Sequence, residues 1–155
     1  FPHRILKYEL RPESAGIGQW RGGYGVNFSL CFIEEGTALA LQIGSGSQET
    51  LPFGLEGGGK AVAGEIGIRP ADGEPKIIEQ ATLQFPGRGD IVDFASAGGG
   101  GFGNPYKRSE EDVLTDVTSG LLSIENALKH YGVVVDPGTL TIDYRATKNK
   151  RNKVN

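Results

Sequence analysis

A chain of 155 residues with 37% hydrophobic content is the size of one ordinary domain and can build a single buried core, which excludes a collagen-like or disordered chain. Sixteen Lys and Arg against nineteen Asp and Glu leave a net charge of −3, so no basic field exists to hold nucleic acid or an anionic membrane surface. Glycine is the outlier: 25 of 155 residues is about twice the usual share of about 7%, so backbone geometry more than side-chain chemistry sets this sequence apart.

The first two thirds alternate apolar and polar residues with the period of two that marks half-buried strands, separated by glycine-rich turns. Residues 4–10, 25–33 and 37–43 fit this pattern. In GVNFSLCFI, Val26, Phe28, Leu30 and Phe32 fall on one face, and Asn27, Ser29 and Cys31 on the other. Glu34, Glu35 and Gly36 make a short polar turn, so the second and third strands are expected to pair as an antiparallel hairpin. Residues 63–69, 76–84 and 90–95 give three further strands, with Pro70, Asp72 and Gly73 as turn residues between the first two.

After Gly103 the period becomes helical. Ser109 followed by Glu110, Glu111 and Asp112 reads as a cap with an acidic first turn; Val113, Leu114 and Val117 recur at helical spacing until Gly120 ends the helix. Ser123 caps a second helix with the stripe Ile124, Ala127, Leu128 and Tyr131, and Gly132 closes it. The short turn between them makes a helical hairpin. Residues 133–135 read as a short strand or apolar strap, and Asp143 as the cap of a last helix running into a basic tail. The expected fold is α+β, one domain over residues 1–155: a glycine-rich β-sandwich or barrel-like sheet followed by a C-terminal helical hairpin.

Three glycine clusters stand out, at residues 14–25, 54–60 and 97–103. Gly54, Gly59 and Lys60 fit the GxxxxGK of phosphate loops, but Ala61 stands where a Ser or Thr must hold Mg²⁺. Gly64, Gly67 and Pro70 also forbid the helix whose N-terminus would meet the phosphate. The dinucleotide pattern GxGxxG fails too, since Gly16 and Gly18 are followed by Arg21. His3 and His130 have no carboxylate, cysteine or second histidine at ligand spacing, no GxSxG elbow occurs, and Cys31 sits in a strand pattern where a thiol is usually inert. No catalytic residue, metal site or bound cofactor is therefore assigned to this chain itself.

Arg21 is the charge of most interest. Between Trp20 and the Gly22-Gly23 pair it offers a guanidinium beside an aromatic plane on an uncrowded backbone, as an anchor for a carboxylate, a carbonyl or a partner chain would. The plainer expectation is that Arg21 pairs with Glu13 or Glu35 and holds the loop. A single cysteine cannot close an internal disulfide, and the start FPHRILKYEL lacks the apolar core of a signal peptide, so a cytoplasmic setting with no membrane contact is expected. The chain has no methionine, which points to a processed start or, the favoured expectation, a piece of a longer polypeptide.

Three stretches in order resemble the C-terminal part of the hydantoinase B family: YELRPESAGIGQWRGGYG, then GLEGGGKAVAGEIGIRPADGE, then GRGDIVDFASAGGGGFGNPYKRSEEDVLTDVTSGLLSIENALKHYGVVVD. The most specific pieces are the Trp20-Arg21-Gly22-Gly23 turn and the run from Gly98 to Pro105 leading into the helical hairpin. SAGIG departs at Ala15 from the more usual SGGxG. The resemblance implies a small subunit or segment of an ATP-dependent multisubunit enzyme, either a cyclic-amide hydrolase of the N-methylhydantoinase or 5-oxoprolinase type or an acetone or acetophenone carboxylase. An A-type subunit would bind nucleotide, a larger B-type polypeptide would complete the other half, and ATP and a divalent metal would sit in those partner chains. A small-molecule substrate would act at the level of the complex, and the isolated chain would not be catalytic.

Arg21, Gly22, Gly23, Gly98, Gly99, Gly100 and Gly101 are the expected substrate or interface loops, followed by Lys60, for which a solvated loop lysine is the default. Glycine amides at such an interface could stabilise an anionic intermediate, in which case bulky residues at Gly22 or Gly98 would lower turnover more than stability. The alternative is a non-catalytic domain that only joins subunits.

Overall fold

In the computed structural model, which describes residues 2–41, 47–78 and 81–152, the strands are β1 (His3–Leu10), β2 (Val26–Phe32), β3 (Leu39–Leu41), β4 (Glu65–Arg69), β5 (Lys76–Ile77), β6 (Thr82–Gln84) and β7 (Ile91–Ala95). The helices are α1 (Glu110–Thr118), α2 (Ile124–Tyr131) and α3 (Tyr144–Arg151), preceded by a 3-10 turn at Pro105–Lys107. Strands come first and helices last, so the α+β expectation holds. The main sheet is antiparallel in the order β1-β2-β7-β4-β5, with β1 and β5 at its edges; among the described residues it is an open sheet, not a barrel.

Alternation in β2 does what its period requires. Leu30 pairs with Val92, which pairs with Ile68, and Phe28 pairs with Phe94, which pairs with Ile66, so two apolar rows cross three strands on one face. Leu41 and Ile78 close over this face with Phe32 to complete one core. On the opposite face Ser29 and Arg69 both donate to the Asp93 carboxylate.

The expected hairpin between the second and third strands does not form. Both edges of β2 are taken, by β1 and by β7, and β3 instead leaves the main sheet to pair with β6. The long strand expected over residues 76–84 is likewise two pieces, β5 at the edge of the main sheet and β6 in the small one. Parts of two expected strands, Gln42 and Ile43 in one and Glu79 and Gln80 in the other, lie outside the described residues.

The helical caps fall where the sequence puts them. Ser109, Ser123 and Asp143 accept from the backbone N–H groups of Asp112, Asn126 and Ala146, and Gly132 ends α2 in the left-handed conformation at φ +65°. Val113, Val117, Ala127, Tyr131, Val133 and Val135 pack a second core between the helices, and Val135 bridges to Ile142.

Between the two cores the glycine segments lie against one another. Gly59 N–H donates to Ile17 at 2.7 Å, Gly101 N–H to Gly59 at 2.9 Å and Gly16 N–H to Gly99 at 2.8 Å, so each of the three segments bonds to both others. The result is a three-stranded bundle with backbone at its centre. A Cβ on Gly22 would overlap the Gly99 carbonyl, and one on Gly101 the Ile17 carbonyl, which is why glycine stands at these closest approaches.

Candidate functional site

The bundle fixes Arg21, and the partner it finds is neither Glu13 nor Glu35. Arg21 Nε donates to both carboxylate oxygens of Asp116, at 2.9 and 3.2 Å, from a residue 95 positions away on α1. Glu13 instead accepts from the Ser123 N–H at 2.7 Å at the start of α2, where a carboxylate suits the helix dipole, and Glu35 is exposed. A pairing role for Arg21 was legible; its partner was not, because the pairing depends on how the helices dock.

Asp116 and Arg108 are the residues that sequence reasoning missed. Asp116 lies on α1 beside Val113 and Val117 and is 5% exposed, and Arg108 Nη2 donates to it at 3.1 Å. A carboxylate within an apolar helical stripe was the available signal. Two guanidiniums share one carboxylate, so the buried group carries a net positive charge, and Arg108 Nε has no hydrogen-bond partner among the described residues. The Arg21 guanidinium also sits 4.3 Å from the centroid of the Tyr24 ring, and its Nη1 donates to the Gly22 carbonyl at 3.0 Å.

These surroundings bias protonation. Burial disfavours the charged guanidinium of Arg21, but hydrogen bonding and attraction to Asp116 hold its pKa above the ordinary value. Burial first, with the Asp116 charge adding to it, pushes both the Tyr24 and Tyr131 hydroxyls up, so both are neutral donors at neutral pH. Burial, then Lys129, hold His130 below its ordinary value, leaving it a neutral imidazole.

Arg21, Tyr24, Lys60, His130 and Tyr131 line one cleft of about 320 Å³, with Glu13 at its wall. The structure thus brings together two of the expected site residues, Arg21 and Lys60. The glycines stand differently. The amides of Gly98, Gly99, Gly101 and Gly22 donate to the carbonyls of Val62, Gly23, Gly59 and Gly16, so they are engaged within the bundle. A Cβ on Gly23 would meet nothing within 4 Å, whereas one on Gly100 would overlap the Phe53 carbonyl.

At the tip of the bundle Trp20 and Phe102 exchange two backbone hydrogen bonds and Leu55 bridges to Phe102, setting one apolar side chain from each segment side by side. Trp20 is 64% exposed, and Phe102, Leu55 and nearby Phe53 are exposed as well. Another cavity of about 340 Å³ on the outer face of the main sheet holds Arg69, Asp93 and Ser29, whose charges and hydrogen bonds satisfy one another. Among the described residues no cluster of three or more His, Cys, Asp or Glu side chains could hold a metal ion, and no helix is long and apolar enough to cross a membrane.

Comparison with known proteins places this geometry in a family. The profile of the hydantoinase B/oxoprolinase family matches residues 1–105. Over 97% of the chain, the B subunit of a putative D-/L-hydantoinase from Pseudomonas sp. (strain NS671) is 32% identical, and the beta subunit of a caprolactamase from Pseudomonas jessenii is 35% identical; the chain covers 25% and 26% of their lengths. The solved ATP-dependent caprolactamase of Pseudomonas jessenii superposes with a TM-score of 0.78 at 32% identity, covering 98% of this chain and 26% of that one. A nucleotide-free acetone carboxylase shares the fold with a TM-score of 0.81 at 21% identity, over 99% of this chain and 25% of that one. The chain therefore spans about a quarter of the length of the curated relatives it matches, and it belongs to the hydantoinase B/oxoprolinase family.

Proposed function

We propose that the chain serves in the B-type half of an ATP-dependent multisubunit enzyme that opens a cyclic amide, in the cytoplasm, with ATP and a divalent metal held by its A-type and larger B-type partner chains. The observation that carries this reading is the match over 97% of the chain to one chain of a hydantoinase and one of a caprolactamase, whose names refer to cyclic amides. Within such an assembly the chain's part follows from its own geometry. The glycine bundle, including Gly22, Gly23 and Gly98 to Gly101, is a rigid mount, and Arg21 and Lys60 are the groups it turns toward a small anionic species. Preorganised charge of this kind stabilises developing negative charge without rearrangement at the moment of reaction.

The test is ATP hydrolysis by the complex reconstituted with its A-type subunit. Hydantoins or lactams are expected to stimulate it, and Lys60→Gln to lower the stimulated rate several-fold without moving Tm. Stimulation by a ketone with bicarbonate alone would instead favour carboxylation, and stimulation by neither would refute both chemistries.

Joining subunits without touching substrate is the second reading, and the exposed tip of Trp20, Leu55 and Phe102 favours it. Under that reading Trp20→Ser with Phe102→Ser abolishes assembly, while Lys60→Gln leaves turnover of the assembled complex untouched.

A further inference from the structure

We infer that the cleft between the first two glycine segments and α2 binds a small aliphatic carboxylate, its anionic head held by Arg21 and Lys60 and its hydrocarbon body lying against Ile17, Val62 and Leu122. The inference rests on the substrate-side role proposed above for Arg21 and Lys60, and adds the class of ligand.

Charge gives the first argument. Arg21 and Arg108 together bring two positive charges against the single carboxylate of Asp116, so the wall behind the cleft is positive and unbalanced by one unit. Lys60 adds another cation at the cleft. The acid there, Glu13, accepts the Ser123 N–H at the start of α2 but keeps its charge, which offsets Lys60, so the cleft and the wall behind it together carry one net positive unit.

Donor geometry gives the second. Arg21 Nε is committed to Asp116 and Nη1 to the Gly22 carbonyl, while Nη2 has no acceptor among the described residues, and the side chain, 27% exposed overall, is one of those that line the cleft. The guanidinium is thus locked in place on one side and open on the other, so little side-chain entropy is lost when an anion arrives.

The remaining lining selects among anions. A phosphate is usually cradled by several free backbone N–H groups, yet the Gly59 amide beside Lys60 donates to Ile17 and the Val62 amide to Ser14. The apolar side chains of Ile17, Val62 and Leu122 suit a hydrocarbon chain. One committed cation, one flexible cation and an apolar wall therefore fit a carboxylate with an aliphatic body better than a phosphoryl group.

Isothermal titration of the full polypeptide, within its complex, with hexanoate, butyrate, hexanamide and inorganic phosphate tests this. Hexanoate is expected to bind saturably, at least about tenfold tighter than its neutral isostere hexanamide and tighter than butyrate. Lys60→Gln, an exposed loop change that should not disturb folding, is expected to weaken hexanoate about tenfold, and Arg21→Lys, which keeps the charge beside Asp116, to weaken it further. Equal binding of hexanoate and hexanamide, phosphate tighter than hexanoate, or hexanoate affinity unchanged in both variants would each overturn the assignment. Because the readout is binding, failure of amide-stimulated ATP turnover with hexanoate binding intact would sink the proposed reaction and leave the site standing.

Discussion

Removing the charge of Asp116 while keeping its shape is the sharpest probe of the buried triad. In Asp116→Asn the amide oxygen can stand where Oδ2 stood and accept from both Arg21 and Arg108, but the NH₂ group then faces Arg21 Nε at 3.2 Å, donor against donor, and the one charge that offset two guanidiniums is gone. Arg21 is partly exposed and can turn toward water, whereas the Arg108 side chain is 9% exposed and cannot. The cost is therefore dominated by one buried guanidinium left without its countercharge, for which about 3–5 kcal/mol is the usual range. At about 2–4 °C per kcal/mol for a chain of this size, Tm should fall by about 6–20 °C. Thermal and urea denaturation of Asp116→Asn, Arg108→Gln and the double variant measure it. The double variant is expected to be more stable than the sum of the single losses predicts, by about 1–3 kcal/mol. A Tm change below about 1 °C in Asp116→Asn, or strict additivity in the cycle, would refute the account of the triad.

Neighbouring glycines should answer oppositely. Gly22→Ala drives a Cβ into the Gly99 carbonyl and should cost about 3 kcal/mol or more, whereas Gly23→Ala meets nothing within 4 Å and should leave Tm within about 1 °C. The same packing reverses the expectation that bulky residues at Gly22 or Gly98 act on turnover before stability: for Gly98 too, a Cβ would overlap a backbone carbonyl, that of Ser14, and loss of folded protein should come first. The pKa of His130 is depressed in the folded state, so the unfolded chain binds more protons there. Its stabilising contribution is complete above the ordinary value of 6.5 and is lost as pH falls through the folded value, a slope that His130→Gln should flatten in a Tm series from pH 8 to pH 5. Trp20→Ser with Phe102→Ser removes exposed side chains only; Tm should hold, while co-purification with partner subunits should fail if the tip is an interface.

What could be read from sequence was local. The period of two in GVNFSLCFI needs only neighbouring residues to be recognised, and so do the caps Ser109, Ser123 and Asp143, each bonded to an amide three residues on. Strand pairing is another matter. The turn at Glu34 to Gly36 looked like a hairpin because nothing in residues 25–43 reveals that β7, some sixty residues later, takes the edge of β2. Arg21 failed in the same way: the acids expected to pair with it, Glu13 and Glu35, were chosen for their place in sequence, and its partner came from a helix whose docking is decided by Val113, Val117 and Ile17. The glycine clusters were legible as places of close backbone approach, but that they approach one another could not be inferred from any cluster alone.

That mutual approach gives the domain an unusual thermal character. In an ordinary core, unfolding exposes hydrocarbon to water and raises the heat capacity; in the glycine bundle it exposes peptide groups, whose hydration lowers it. The segment from Gly98 to Gly101 and its two neighbours should therefore contribute a flatter share of the stability curve, weakening little on cooling, than the sheet and helix cores that flank them. The bundle is a part of the molecule held by amide-to-carbonyl bonding, set between two parts held by oil, and each should answer temperature by its own rule.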